Sequence, residues 1–264
     1  MLLTEKEAIR LINRGVALDD PAIAENVDSA LNMLNEELRR EGPEYYPLLE
    51  DKPQLVRFLF ARKLRIEPTI QMIKAHVEWR KNNLPVQLTD LVLAELKKCK
   101  TFRRGEDVKG RPLIVIQSRN FDPKTRDLDA SIAAYVHQLE EAVALLKPEQ
   151  EQFAMLYDRT GFRLRNLDLD VISKAVKTLS DNYPERLGAA YVYPAGPVAY
   201  AVFKLVSPFM DARTANKVEF IKNTAQLEKF LPHAVIPLEY GGGGEDNTSI
   251  KFDTLEVSPP TAAA

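Results

Sequence analysis

The sequence predicts an α/β fold: a helical N-terminal annex followed by a helix-covered, mainly parallel β-sheet. Three observations carry this. Residues up to about 100 form successive stripes of apolar side chains at helical spacing. The pattern changes at Lys109-Gly-Arg-Pro112, where short apolar runs bounded by turn residues begin. From there strand-like and helix-like segments alternate, and alternation of that kind implies parallel βαβ crossovers with helices over the sheet.

Taken in order, the chain is helix-patterned from about Glu5 to Arg40, with Val27, Ala30, Leu31, Leu34 and Leu38 on one stripe, and Gly42-Pro43 breaks the run. Asp51 is placed to cap the next helix, Pro53 falls in its first turn, and Leu55, Phe58 and Leu59 point inward. Pro68 opens another, with Ile70, Ile73 and Val77 on one face. Strands are expected at 113–116, 153–157, 189–193 and 218–221, and helices at 129–146, 171–179, 197–210 and 226–231. Gly241 to Gly244 and the Asn, Thr, Ser, Pro and Ala residues beyond read as a linker and loose tail.

Composition narrows the function classes. The 264 residues are 45% hydrophobic and 28% charged, ordinary for a globular protein with a substantial core. A net charge of -2 argues against a nucleic-acid partner. The single cysteine, Cys99, excludes an internal disulfide and a cysteine-based metal cluster and favours a reducing compartment. Met1 to Lys6 is too short and too charged for a signal peptide, so a cytoplasmic location is expected. No nucleophile elbow, phosphate loop or dinucleotide fingerprint is present, and His76, His137 and His233 lack metal-ligand spacing. The expectation is a non-enzymatic protein without metal or cofactor. Asp158-Arg-Thr-Gly161 after a strand reads as a structural corner.

The segment 181–217 is the most distinctive. Seventeen residues without formal charge separate Arg186 from Lys204. A membrane-spanning helix needs about 20 mostly apolar residues, and this run is shorter and interrupted by Pro194, Gly196 and Pro197. It reads as a buried strand, a turn and a helix that is apolar nearly all round. Asn182-Tyr-Pro-Glu-Arg-Leu-Gly188, Tyr191-Val192 and Phe203-Lys-Leu-Val-Ser-Pro-Phe-Met-Asp211 closely resemble the signature of the CRAL-TRIO lipid-transfer family, which includes the fungal phosphatidylinositol-transfer proteins. The resemblance extends to Leu55–Leu64, Trp79-Arg80, Lys109–Pro112 and Leu238–Gly242, most of the chain from about 50 to 243.

The resemblance implies a sheet enclosing a hydrophobic lipid cavity. It divides the chain into an N-terminal helical extension (1–50), the family's helical region (51–100), its lipid-binding domain (101–243) and a flexible tail (244–264). It also implies a monomer that meets membranes transiently and carries phosphatidylinositol, with the phospholipid as ligand. Arg62, Lys63, Glu185, Thr214 and Lys217 match the family's headgroup positions: cations suit a phosphate, while a carboxylate and a hydroxyl suit inositol hydroxyls. Phe153, Ala154 and Met155 replace the small hydroxyl residues of choline-binding members, which puts choline exchange in doubt. The helix from Val198 to Met210 is the expected gate. Val198, Val202, Leu205 and Phe209 form its regular stripe and should line the cavity with Phe153 and Met155, leaving Phe203, Val206 and Met210 as a membrane face. Two other readings stay open: a carrier of a sterol, tocopherol or retinoid, and an interaction module with a vestigial cavity.

Overall fold

The computed structural model describes residues 21–246 apart from 149 and 211, together with 252, 255 and 256. The part of the first expected helix before residue 21, and most of the expected tail, lie outside the described residues. The chain forms two compact units: residues 1–82, 147–151 and 181–186, and residues 83–146, 152–180 and 187–264.

The first unit is helical. α1 (Pro21–Glu41), α2 (Tyr46–Glu50), α3 (Lys52–Ala61) and α4 (Ile66–Asn83) follow one another. Asp51 accepts a hydrogen bond from the Gln54 amide at 2.9 Å and Pro53 sits in the first turn of α3, as expected. The α1 stripe of Val27, Leu31, Leu34 and Leu38 closes on Leu55, Phe58, Leu59 and Ile73, all buried. Glu151 is buried because two guanidinium groups neutralise it: Arg57 pairs with its carboxylate, and Arg186 donates to its carbonyl at 2.9 Å and its carboxylate at 3.1 Å. His76 lies edge-on to Phe58 and 3.4 Å from Asn182, and burial pushes its pKa down to about 4.

The second unit holds a five-stranded sheet: β1 (Thr101–Glu106), β2 (Pro112–Gln117), β3 (Phe153–Asp158), β4 (Leu187–Tyr193) and β5 (Val218–Phe220), in that spatial order. β2 to β5 are parallel and β1 is antiparallel to β2. Its helices are α5 (Asp90–Lys97), α6 (Leu128–Ala144), α7 (Leu169–Asn182), α8 (Pro197–Val206) and the short α9 (Ala212–Ala215) and α10 (Thr224–Leu227). Each crossover, through α6, α7 and α8 in turn, steps one strand over in the same direction. Right-handed connections therefore put all three helices on one face. The other face is closed by the C-terminal segment: Leu113, Val115, Ala154, Leu156, Tyr191 and Tyr193 pack against Ile221, Leu227, Leu231, Ile236 and Tyr240.

Three local features differ from expectation. β1 has no counterpart in the apolar pattern, because it is an edge strand with only Phe102 buried and a register shift between Arg103 and Glu106. The helix expected over 197–210 is α-helical only to Val206. A 3₁₀ turn over Ser207–Phe209 follows and Met210 is extended. Gly241 to Gly244 are not a loose linker. Gly241 ends a turn at φ 82°, a Cβ on Gly242 would collide with the Ile236 carbonyl, and Gly244 donates to that carbonyl at 2.9 Å. Farther on, Phe252 and Leu255 are partly buried against apolar residues of α5 and α6.

Candidate functional site

Strand register on the helix-covered face aligns side chains in rows across the parallel strands. One row is Ile114, Met155, Ala190 and Val218; the next, toward the strands' C-terminal ends, is Ile116, Tyr157, Val192 and Phe220. The second row floors a cavity of about 1050 Å³ of empty space, its open mouth included. Ile172, Val176 and Leu179 of α7 form one wall and Ala199, Val202, Phe203 and Val206 of α8 the other, with Met210 and Thr214 at the end of α8's side. The cavity lies between α7 and α8, and its lining includes two small residues, Ala190 of β4 and Ala199 of α8. α8 is propped on β5 through Phe220, against which Tyr200 stacks with ring centroids 4.4 Å apart and Phe203 packs edge-on at 5.4 Å.

Several polar groups in the wall are already engaged. Asp168 accepts from Arg126 Nε at 2.8 Å, Asn166 donates to the Arg119 and Phe121 carbonyls, and Arg159 donates to the Pro194 carbonyl at 3.2 Å and lies over Phe162. Asp158, fully buried, accepts from Tyr240, from Gln117 at 3.3 Å and from the Thr160 amide at 2.8 Å, so the Asp158 corner is structural. No group of three or more potential metal ligands occurs among the described residues. A wall of this kind is suited to excluding water from hydrocarbon.

The expected cavity residues fall into two sets. Val202, Phe203, Val206 and Met210 line the cavity. Val198, Leu205 and Phe209 do not: they are 47%, 54% and 47% exposed. Val202 lines the cavity as expected, but the rest of the expected orientation is reversed, with Phe203, Val206 and Met210 inward and Val198, Leu205 and Phe209 outward. Sequence spacing grouped Val202 with the outer residues and carried no sign for which side faces in, since both sides of α8 are apolar. Phe153 and Met155 are also corrected. They share Tyr157's sheet face but sit nearer the N-terminal end of β3, fully buried and outside the cavity lining.

The five headgroup candidates divide between the units. Arg62, at the end of α3, and Lys63 belong to the first, as does Glu185; Lys63 and Glu185 both adopt left-handed backbone conformations, φ 55° and 57°. Non-glycine residues held in that region are uncommon and concentrate at functional positions. Thr214 and Lys217 belong to the second unit. Thr214 lines the cavity, and the Lys217 amide donates to the Thr214 carbonyl at 3.1 Å in the turn before β5. Other motif residues are structural: Arg111 donates to Asp107 at 2.8 Å and to the Tyr191 hydroxyl at 3.0 Å, and it passes so close to Gly188 that a Cβ there would strike it.

A second chamber of about 620 Å³ of empty space, its open mouth included, adjoins the first, sharing Ile116, Phe121, Tyr157, Ile172 and Val176 with it. Glu95, Lys100, Ser131 and Tyr135 complete much of its lining. Burial works against the Glu95 carboxylate, but hydrogen bonds from Lys100, Lys98 and Ser131 outweigh it and hold the pKa down at about 2. Sequence reasoning missed this chamber. The available signal was Tyr157, two residues beyond Met155 and so on the same sheet face.

Comparison with known proteins bears on this geometry. The model of the CRAL/TRIO domain matches residues 96–242. A CRAL-TRIO domain-containing protein of Schizosaccharomyces pombe, C3H8.02, is 28% identical over 198 residues, 71% of this chain and 45% of that protein. Phosphatidylinositol transfer protein CSR1 of Eremothecium gossypii is 28% identical over 221 residues, 77% of this chain and 50% of that protein. The chain thus spans about half the length of these curated relatives. The crystal structure of Sfh5 superposes with a TM-score of 0.68 at 15% identity, covering 92% of this chain and 95% of the other, a likeness of fold.

Proposed function

The chain belongs to the CRAL/TRIO domain family, and from that premise we propose that it carries a phosphatidylinositol-class phospholipid between membranes without covalent chemistry. The observation that carries the reading is an apolar cavity with one wall, α8, apolar on both sides: Phe203 and Val206 inward, Val198 and Leu205 outward. A diacyl lipid has on the order of 30 methylenes at about 0.8 kcal/mol each, so bare transit through water costs roughly 20 kcal/mol or more. A carrier must hide the tails and must also open at a membrane to exchange them. α8 is the element suited to both tasks. Its N-cap, Gly196, makes no side-chain capping bond, and its inner face rests on β5 through Phe220.

The similarity to a relative named as a phosphatidylinositol transfer protein supports the choice of headgroup. Thr214 and Lys217 are proposed as contacts at the cavity end of the second unit; Arg62, Lys63 and Glu185 are kept as candidates on motif resemblance. The protein is proposed to work as a monomer in the cytoplasm, visiting membranes; no described helix is long and apolar enough to cross one.

Native mass spectrometry of purified protein tests the reading, with extraction and identification of the bound lipid. A mass one phospholipid above the polypeptide is expected, with phosphatidylinositol recovered. Only the bare mass, with no rise in melting midpoint on adding phosphatidylinositol, defeats it. Lys217→Ala is expected to slow phosphatidylinositol transfer about tenfold, equivalent to about 1.4 kcal/mol; an unchanged rate removes Lys217 from the headgroup site.

A further inference from the structure

We propose that Arg159 and Ser118 form an anion subsite inside the cavity between α7 and α8, one that takes the carboxylate or phosphodiester of a lipid whose hydrocarbon fills the rest. β2, β3 and β4 end side by side: Gln117 pairs with Asp158 and Asp158 with Tyr193, so Ser118, Arg159 and Pro194 follow as the next row. By strand alternation this row returns to the face of Ile116, Tyr157 and Val192, and Ser118 and Arg159 line the cavity there. One arm of the Arg159 guanidinium donates to the Pro194 carbonyl at 3.2 Å, and its face lies over the Phe162 ring, 5.0 Å from the centroid. These contacts hold the fork in place and leave its remaining N–H groups for a ligand. The Ser118 hydroxyl has no hydrogen-bond partner among the described residues.

Charge decides what that ligand is. Arg159 and Asp168 are the charged side chains in the cavity lining. Asp168 is answered by Arg126, at 2.8 and 3.2 Å. Arg159 has no carboxylate partner among the described residues, whereas Arg111, Arg119 and Arg186 each have one. Burial lowers the Arg159 pKa and no neighbouring acid offsets it, yet an arginine stays charged. A neutral lipid entering the cavity strips water from this guanidinium and leaves it unpaired, which is costly. A carboxylate or phosphodiester instead brings the two oxygens that the fork fits. The subsite is separate from the proposed headgroup contacts. Thr214 and Lys217 precede Val218, which pairs with Ala190, and Pro194 lies farther along β4 by about 13 Å at the rise of a strand. One phosphate does not span both ends, so a lipid held by Arg159 lies the other way round in the cavity.

The inference rests on the reading of this cavity as a lipid site, and fluorescence titration with three probes separates the two: pyrenyl-decanoate, its methyl ester, and pyrene-labelled phosphatidylinositol. Wild type is expected to bind the carboxylate at least about tenfold more tightly than the ester. Arg159→Leu should bring that ratio to about one, and Ser118→Ala should lower it several-fold. This result identifies a carboxylate as the anion. A wild-type ratio near one, with phosphatidylinositol binding weakened about tenfold by Arg159→Leu and several-fold by Ser118→Ala, identifies the phosphodiester instead. If Arg159→Leu melts too early to assay, Arg159→Lys takes its place and must lower the ratio or the phosphatidylinositol affinity several-fold. Variants that change neither quantity overturn the inference and, since the ester still binds, leave the lipid cavity standing. A loss at Arg159 that falls equally on all three probes with a lowered melting midpoint also overturns it, because the side chain is then only a clamp on Pro194. Binding of none of the probes by wild type sinks both readings together.

Discussion

The two faces of the sheet are built from alternate residues of the same strands, yet one is solid and the other hollow. On the solid face Leu113, Val115, Leu156 and Tyr191 meet a chain segment that follows the sheet closely and fills the space with Leu227, Leu231, Ile236 and Tyr240. Across the strands, Ile116, Tyr157, Val192 and Phe220 face helices held apart by their own connections, and the gap between α7 and α8 is left open. The apolar content is similar, so hydrophobicity alone does not separate them. What separates them is the partner: a segment free to settle residue by residue packs to completion, whereas rigid helices over a twisted sheet touch it at a few points such as Phe220. Truncations on the first face should be read as stability, and truncations on the second as binding.

The largest expected effect breaks the solid face. Leu156 is 1% exposed with close neighbours on every side, so Leu156→Ala should cost about 2–5 kcal/mol in urea denaturation, as buried leucine truncations do. Val192→Ala, one strand away on the hollow face, only enlarges an existing void and should cost about 1 kcal/mol or less. Equal losses at the two positions would mean that the cavity is closed up in solution.

Solid packing recurs within the first unit, and there it constrains charge. His76 is 2% exposed and burial pushes its pKa to about 4, against about 6.5 in an unfolded chain. Between those values the unfolded state binds more protons, so stability is present above about pH 6.5 and is lost as pH falls toward 4, at up to about 1.4 kcal/mol per pH unit. His76→Gln should flatten that limb of a stability-against-pH curve. A limb unchanged in the variant would assign the acid sensitivity to other groups.

Much of the fold was legible in the sequence, and the reasons it was not everywhere legible are specific. The α1 stripe, the Asp51 cap and strands β2 to β5 declared themselves because each is decided by local periodicity or a single capping bond. β1 did not, because an edge strand with one buried residue resembles a polar loop. The packed Gly241–Gly244 turn looked like a linker, since the close approach to Ile236 that requires glycine is invisible without coordinates. In the candidate site, composition marked α8 as special but could not orient it.

The orientation of α8 gives the smallest expected stability effect and the sharpest test of the hollow face. Leu205 and Phe209 are about half exposed, so Leu205→Asp or Phe209→Asp places a carboxylate where it meets water, and the melting midpoint should move little, by about 0.5 kcal/mol or less in stability. At a membrane surface the same carboxylate faces anionic headgroups and hydrocarbon, where it is disfavoured. Liposome-to-liposome transfer should therefore slow several-fold while the bound lipid recovered from purified protein stays the same. Phe203→Asp, pointing into the cavity beside Phe220, should do the opposite, emptying the cavity and lowering the midpoint through a buried unpaired charge. If Leu205→Asp transfers lipid at the wild-type rate, α8's outer face does not meet the membrane, and the exchange route must lie along another wall of the cavity. If it unfolds the protein instead, that face is covered in solution, and the hollow side of the sheet ends in an interface.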